Sequence, residues 1–126
     1  MRHLVPAFLT LLATILTASS AGAFRSGDWV LARWQRGNYY YPAVVQSHSD
    51  GIIRLHYDDG STESVFEKDN LVRPYDWASG SRIQCQWSHD NQWYAGNITS
   101  LSGGTLVIRY DDGVSESRPT GKCRSY

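Results

Sequence analysis

Leu55-His56-Tyr57-Asp58-Asp59-Gly60 returns 53 residues later as Ile108-Arg109-Tyr110-Asp111-Asp112-Gly113. The same offset continues in both directions from this match. Trp34 falls on Trp87, Tyr41 on Tyr94, Gly51 on Gly104 and Glu63 on Glu116, without a gap. Most of the chain is therefore one segment of about 50 residues written twice. A repeat of that length is a structural unit, so the pattern excludes a single domain built around one large core. Residues kept in both copies become the candidates for a binding surface.

Within each copy the signals are those of strands. Val30, Ala32 and Trp34 form one face of a first strand, matched by Ile83, Cys85 and Trp87. Gln35-Arg36-Gly37-Asn38 and Ser88-His89-Asp90-Asn91 read as turns. A second strand follows over 40–47 and 93–100. Turns at Ser49-Asp50-Gly51 and Ser102-Gly103-Gly104 lead to a third strand over 52–57 and 105–110. Asp58-Asp59-Gly60 and Asp111-Asp112-Gly113 read as hairpin turns, since Asp-Gly tolerates positive φ. A fourth strand is expected over 61–66 and 114–118, and a short last one near Leu71-Val72-Arg73. Four or five short strands at this spacing predict a small all-β barrel per copy. A domain of this size buries only about 60% of its unfolded surface. The copies are thus expected to lean on each other, with Pro74-Tyr75-Asp76-Trp77-Ala78-Ser79 as a packed connector.

The first 23 residues read differently. Met1-Arg2-His3 is a short positive start, Leu4 to Leu16 an apolar run, and Ala21-Gly22-Ala23 a site with small residues where a signal peptidase reads. That is the pattern of a secretory signal peptide. The run is short of the ~20 apolar residues of a membrane span; an uncleaved anchor is the alternative. No Cys follows it, which argues against a lipoprotein. The expected plan is a signal peptide at 1–23, a barrel at 24–74, a linker at 75–79 and a second barrel at 80–126, in a secreted or periplasmic protein.

Loss of residues 1–23 removes one of 12 cations, Arg2, and none of 12 anions, leaving a formal charge of −1. A phosphate-backbone binder needs a basic stripe, so nucleic acid is not an expected partner. The two cysteines, Cys85 and Cys123, both lie in the second copy, opposite Ala32 and Asn70 of the first. In an oxidising compartment a disulfide is expected between them; two separate thiols, with Cys85 a small buried residue, are the alternative.

The stretch Trp87-Ser88-His89-Asp90-Asn91-Gln92-Trp93-Tyr94-Ala95-Gly96-Asn97-Ile98, followed by residues 108–113, resembles the Tudor domain. Copy one has the same frame in Gly27-Asp28-Trp29-Val30-Leu31-Ala32-Arg33-Trp34, Tyr41-Pro42-Ala43-Val44-Val45 and residues 55–60. The resemblance covers nearly all of residues 27–126 and implies two SH3-like, five-stranded barrels in tandem. It also implies aromatic cages for methylated lysine or arginine on a partner peptide. Carried over by position, the cages are Trp34, Tyr41, Tyr57 and Asp59, and Trp87, Tyr94, Tyr110 and Asp112. A methylated ammonium keeps its charge but loses hydration, which suits the face of an aromatic ring. A further cage aromatic is often found just past the Asp-Gly turn. Ser61 and Val114 stand there, so both cages are expected to be open on one side.

Other readings compete at each position. The Trp and Tyr residues also suit barrel packing. The paired Asp residues are turn chemistry, since adjacent carboxylates supply too few oxygens for calcium. His48, His56 and His89 share no spacing and read as surface residues; Tyr40 is expected to pack inward, with Tyr39 and Tyr41 on the cage side. No nucleophile, phosphate loop or metal pattern stands out, and no cofactor is called for. The leading expectation is a monomeric, non-enzymatic module that binds a peptide or cationic group. An envelope adaptor using its barrels for protein or cell-wall contacts is the alternative.

Overall fold

A computed structural model describes residues 23–126; the expected signal peptide lies, but for its last residue, outside the described residues. The fold is all-β. Five strands, β1 (Trp29–Arg33), β2 (Tyr40–Ser49), β3 (Ile52–Tyr57), β4 (Thr62–Phe66) and β5 (Val72–Pro74), form one antiparallel sheet in the order β4-β3-β2-β1-β5. Five more, β6 (Arg82–Gln86), β7 (Trp93–Ser102), β8 (Thr105–Tyr110), β9 (Ser115–Pro119) and β10 (Cys123–Arg124), form a second in the order β10-β6-β7-β8-β9. No strand is exchanged between them.

Strand alternation sets each core. In β3, Ile53, Leu55 and Tyr57 point inward and Ile52, Arg54 and His56 outward; β8 repeats this with Leu106, Ile108 and Tyr110. The pairing of β2 with β3 shifts between Val45 and Ser47, and that of β7 with β8 between Ile98 and Ser100. These are β-bulges at matching positions. Each bends a ten-residue strand so that one sheet can curl around its own core. The turn from β2 to β3 has positive φ at both Asp50 (52°) and Gly51 (75°), as a two-residue hairpin loop requires. At the next hairpin only Gly60 takes positive φ (97°), so the expectation for that turn holds for the glycine and not for Asp59.

Three short 3-10 turns, Trp34–Arg36, Glu67–Asp69 and Thr120–Lys122, stand where the sequence predicts no helical turn. They are too short to leave a periodic signal. Trp34 consequently starts a turn instead of ending a strand, with Gln35 and Arg36 at φ 49° and 60°.

The 53-residue register fails at the closing strand. Ala32 pairs with Val72, but Cys85, the match of Ala32, pairs with Cys123, two residues before the match of Val72. Copy one spends two residues there: Asn70, at φ 53°, and the buried Leu71. Copy two runs from its 3-10 turn directly into β10, where Cys85 and Cys123 form the expected disulfide (S–S 2.11 Å).

The slide leaves the last residues free to reach the first module. Ser125 forms a bridge with Tyr40, with Tyr40 N donating to Ser125 O at 2.7 Å and Ser125 N to Tyr40 O at 2.9 Å. Trp77 Nε1 donates to Ser125 Oγ at 3.2 Å. The outward face of β1 supplies Leu31, fully buried in the second module's core cluster beside Trp77. Burying two such side chains stabilises the junction by roughly 1.5–3 kcal/mol each. Tyr75 stacks edge-on against Trp29 (5.5 Å) and tilted against Trp77 (5.7 Å), so the connector is packed. Tyr40 does pack inward, but into this junction with Arg73 over its ring at 3.9 Å.

Candidate functional site

The second module holds a hollow of about 470 Å³ lined by Trp87, Tyr94, Ala95, Tyr110, Asp111, Asp112 and Val114. Trp87 and Tyr94 meet at 6.0 Å and 90°, and Tyr94 and Tyr110 at 6.3 Å and 80°. Tyr94 thus stands steeply to both of the other rings. Tyr110 is 5% exposed and also part of the core, while Tyr94 is 42% exposed and forms the outer wall.

Hydrogen bonds fix the two tyrosine rings. Asp90 Oδ2 accepts from the Tyr94 hydroxyl (2.6 Å) and Oδ1 from Gln92 N (2.9 Å). These two donors hold the Asp90 carboxyl below the usual range, and the carboxylate in turn raises the Tyr94 hydroxyl. Asn91, at φ 58°, closes the loop by donating to Trp87 O at 2.8 Å. Glu116 Oε2 accepts from the Tyr110 hydroxyl (2.7 Å), and Oε1 from Ser88 Oγ (2.6 Å). Glu116 therefore ties the loop after Trp87 to the floor. Burial alone would raise its pKa, but the bonds from Ser88 and Tyr110 outweigh that and lower it. Burial first, and the bond to Glu116 second, raise the Tyr110 hydroxyl well above its ordinary value.

The carboxylates differ. Asp111 is held by Arg82 through two bonds of 2.5 and 2.6 Å, which lower its pKa. Asp112 Oδ1 accepts from Val114 N at 2.9 Å, a turn contact that keeps its side chain at the rim. No basic side chain lines this hollow.

The first module's set, Trp34, Tyr41, Tyr57 and Asp59, also comes together, around a hollow of about 290 Å³. Trp34 meets Tyr57 at 5.3 Å and 88°. Tyr57, only 2% exposed, is the floor; its hydroxyl donates to Glu63 Oε2 at 2.7 Å, as Tyr110 does to Glu116. Glu63 Oε1 accepts from Gln35 N at 2.9 Å and anchors the Trp34 turn. Asp59 Oδ1 accepts from Ser61 N at 2.9 Å and from the Ser61 hydroxyl.

This hollow differs in one respect that the sequence did not disclose. Its remaining wall comes from the other module: Gln86, Trp93, Gly121 and Lys122. Trp93 meets Tyr41 at 6.2 Å and adds a fourth ring to the lining. Arg124 packs against it, 3.9 Å from the Trp93 ring and 3.6 Å from Tyr39, and Nη1 donates to the Tyr41 hydroxyl at 3.3 Å. Tyr39 is thus drawn away from the cage, towards Arg124 and Tyr126. His48 is likewise no surface residue: its ring meets Phe24 O at 2.7 Å and Glu67 at 2.9 Å, pinning the entry segment to β2. His56 and His89 are exposed.

Glu63 and Glu116 were visible as a repeated pair, and that repetition was the available signal for their positioning role. Trp93 and Lys122 left none, because their matches are Tyr40 and Asp69. Among the described residues no group of three or more His, Cys, Asp or Glu could hold a metal ion, and no helix is long and apolar enough to cross a membrane.

No family model matches the sequence, and no curated protein matches it. Solved structures that are similar include the crystal structure of ADCP1 tandem Agenet domain 3-4, 17% identical over 82% of this chain and 80% of that one, with a TM-score of 0.37. Another is Arabidopsis thaliana AGDP1 AGD34, 17% identical over 86% of each chain, with a TM-score of 0.41.

Proposed function

We propose that this chain is an exported, non-enzymatic binding module: two Tudor-like barrels, residues 24–74 and 80–126 joined by 75–79, that hold a peptide by a cationic group in aromatic cages. A methylated lysine or arginine is the preferred group. The observation that carries the reading is the hollow of Trp87, Tyr94 and Tyr110. Its two tyrosine rings are held by Asp90 and Glu116 through their hydroxyls, Trp87 stands edge-on to Tyr94, and Asp112 lines the same space. Such ring faces attract a poorly hydrated cation by about 0.5–2 kcal/mol each. The two held rings need little reordering on binding, which favours affinity. The disulfide supports export, since such bonds persist in oxidising compartments.

The test is titration of methylated and unmethylated Lys and Arg peptides, followed at the indole N–H resonances. Methylated peptides are expected to shift Trp87 first. Tyr94→Ala is expected to weaken binding about 2- to 30-fold, the loss of one ring face. Silence of both Trp34 and Trp87 towards every cationic ligand would overturn the reading. If an envelope extract then still yields a partner that Trp87→Ala loses, the adaptor function takes its place.

A further inference from the structure

The two cages carry different charge. The hollow around Trp87 is lined by Asp111, which Arg82 neutralises, by Asp112 and by no base, so one acid stands unopposed there. The hollow around Trp34 is lined by one acid, Asp59, and one base, Lys122. Lys122 is exposed and enters no ion pair among the described residues. Four rings, Trp34, Tyr41, Tyr57 and Trp93, surround the same space. The other base nearby, Arg124, is not among the lining residues: it stacks on Trp93, donates to the Tyr41 hydroxyl at 3.3 Å and bonds to Gln84 Oε1 at 2.9 Å.

A simple cation entering this hollow finds ring faces and Asp59 but also meets the repulsion of Lys122. A cation that carries its own anion on a short arm turns that repulsion into attraction. We propose that the pocket between the modules binds small zwitterions, a methylated ammonium joined to a carboxylate or phosphate, with the ammonium among the four rings and the anion on Lys122. The proposal rests on the aromatic-cage reading and adds a ligand class for this one pocket. Its volume of about 290 Å³ suits a trimethylammonium head with a short acidic arm better than a long side chain with its peptide. Because Trp93 and Lys122 come from the second module, the site exists only while the modules are docked.

The experiment compares glycine betaine, phosphocholine, choline and tetramethylammonium on the whole protein, at low salt, by the indole N–H shifts of Trp34 and Trp93. Trp87 reports the other cage in the same spectrum. Glycine betaine and phosphocholine are expected to bind at Trp34 and Trp93 about two- to fivefold more tightly than tetramethylammonium, the range of an exposed ion pair. At Trp87 the order is expected to reverse. Lys122→Gln is expected to abolish the advantage, weakening glycine betaine and phosphocholine while tetramethylammonium, freed of the repulsion, binds at least as tightly as before. Phosphatidylcholine vesicles in a parallel arm tell a lipid headgroup from a soluble ligand; shifts from either source support the zwitterion. Equal binding of betaine and tetramethylammonium at Trp34 and Trp93, or an advantage that survives Lys122→Gln, overturns this proposal and leaves the cages standing. Silence of Trp34, Trp93 and Trp87 towards all four compounds overturns both.

Discussion

Glu63 and Glu116 each sit behind one of the two hollows, and Glu116 gives its own a pH dependence. Each joins a ring on the barrel floor to the turn that bears the tryptophan. Glu116 has a lowered pKa in the folded chain, and so have Asp90 and Asp111. An unfolded carboxyl titrates near pH 4. Between that value and the lower folded one the unfolded chain binds more protons, so these groups stabilise the fold above about pH 4 and the contribution is lost as pH falls through the folded values. Thermal melting between pH 6 and pH 3 should show this decline, and Glu116→Gln should flatten it. The tyrosines act at the other end. Burial, with Asp58 and Asp76 nearby, pushes Tyr75 up to about 12, and Tyr57 and Tyr110 are raised further by burial and their glutamates. Their contribution is present below the unfolded value near pH 10 and lost as pH rises through the folded values. The melting temperature is expected to hold up to about pH 10 and fall beyond it.

The elements that place the site are β7 and β8. Gly96 pairs with Tyr110 and lies tight against β8: a Cβ there would stand 2.3 Å from Arg109 O and 2.8 Å from the Tyr110 Cα. Backbone cannot give way as a side-chain tip does, so Gly96→Ala must push β8, and with it the Tyr110 floor, away from β7. The expected cost is about 1–3 kcal/mol, as for other overpacked sites. It should be accompanied by weaker ligand binding at Trp87 than at Trp34, measurable in one titration. The matching residue in copy one is Ala43, which is buried opposite Tyr57 without such a conflict. Repeated sequence thus does not mean repeated spacing. The closing strands make the same point: β5 and β10 follow the same turn, yet they pair two residues apart.

At the level of the whole molecule, residues 119–126 are the hinge between fold and site. They supply β10, the bridge to Tyr40, Arg124 against Trp93 and Lys122 in the pocket. The Cys85–Cys123 disulfide, closing a span of 38 residues, ties this segment to β6. Reduction should cost roughly 3–4 kcal/mol and lower the melting temperature by 10 °C or more. It should also weaken ligand binding at Trp34 more than at Trp87. Gly121 packs against the other module: a Cβ there would stand 2.9 Å from Asp58 C and Asp59 N. Gly121→Ala should lever the modules apart and broaden the Trp93 signal while leaving the Trp87 cage active. The sequence by itself determined the doubled all-β plan and the packed connector, which follow from repetition and from strand alternation and turn chemistry that act over a few residues. The resemblance pointed to the residues that line both hollows, and the expected oxidising compartment to the disulfide. The sequence could not disclose the two-residue slide of the last strand, the burial of Leu31 in its neighbour's core, or Trp93 and Lys122 joining the lining of the first hollow. Those depend on how two curved sheets settle against each other, and the two copies differ at the positions that decide it.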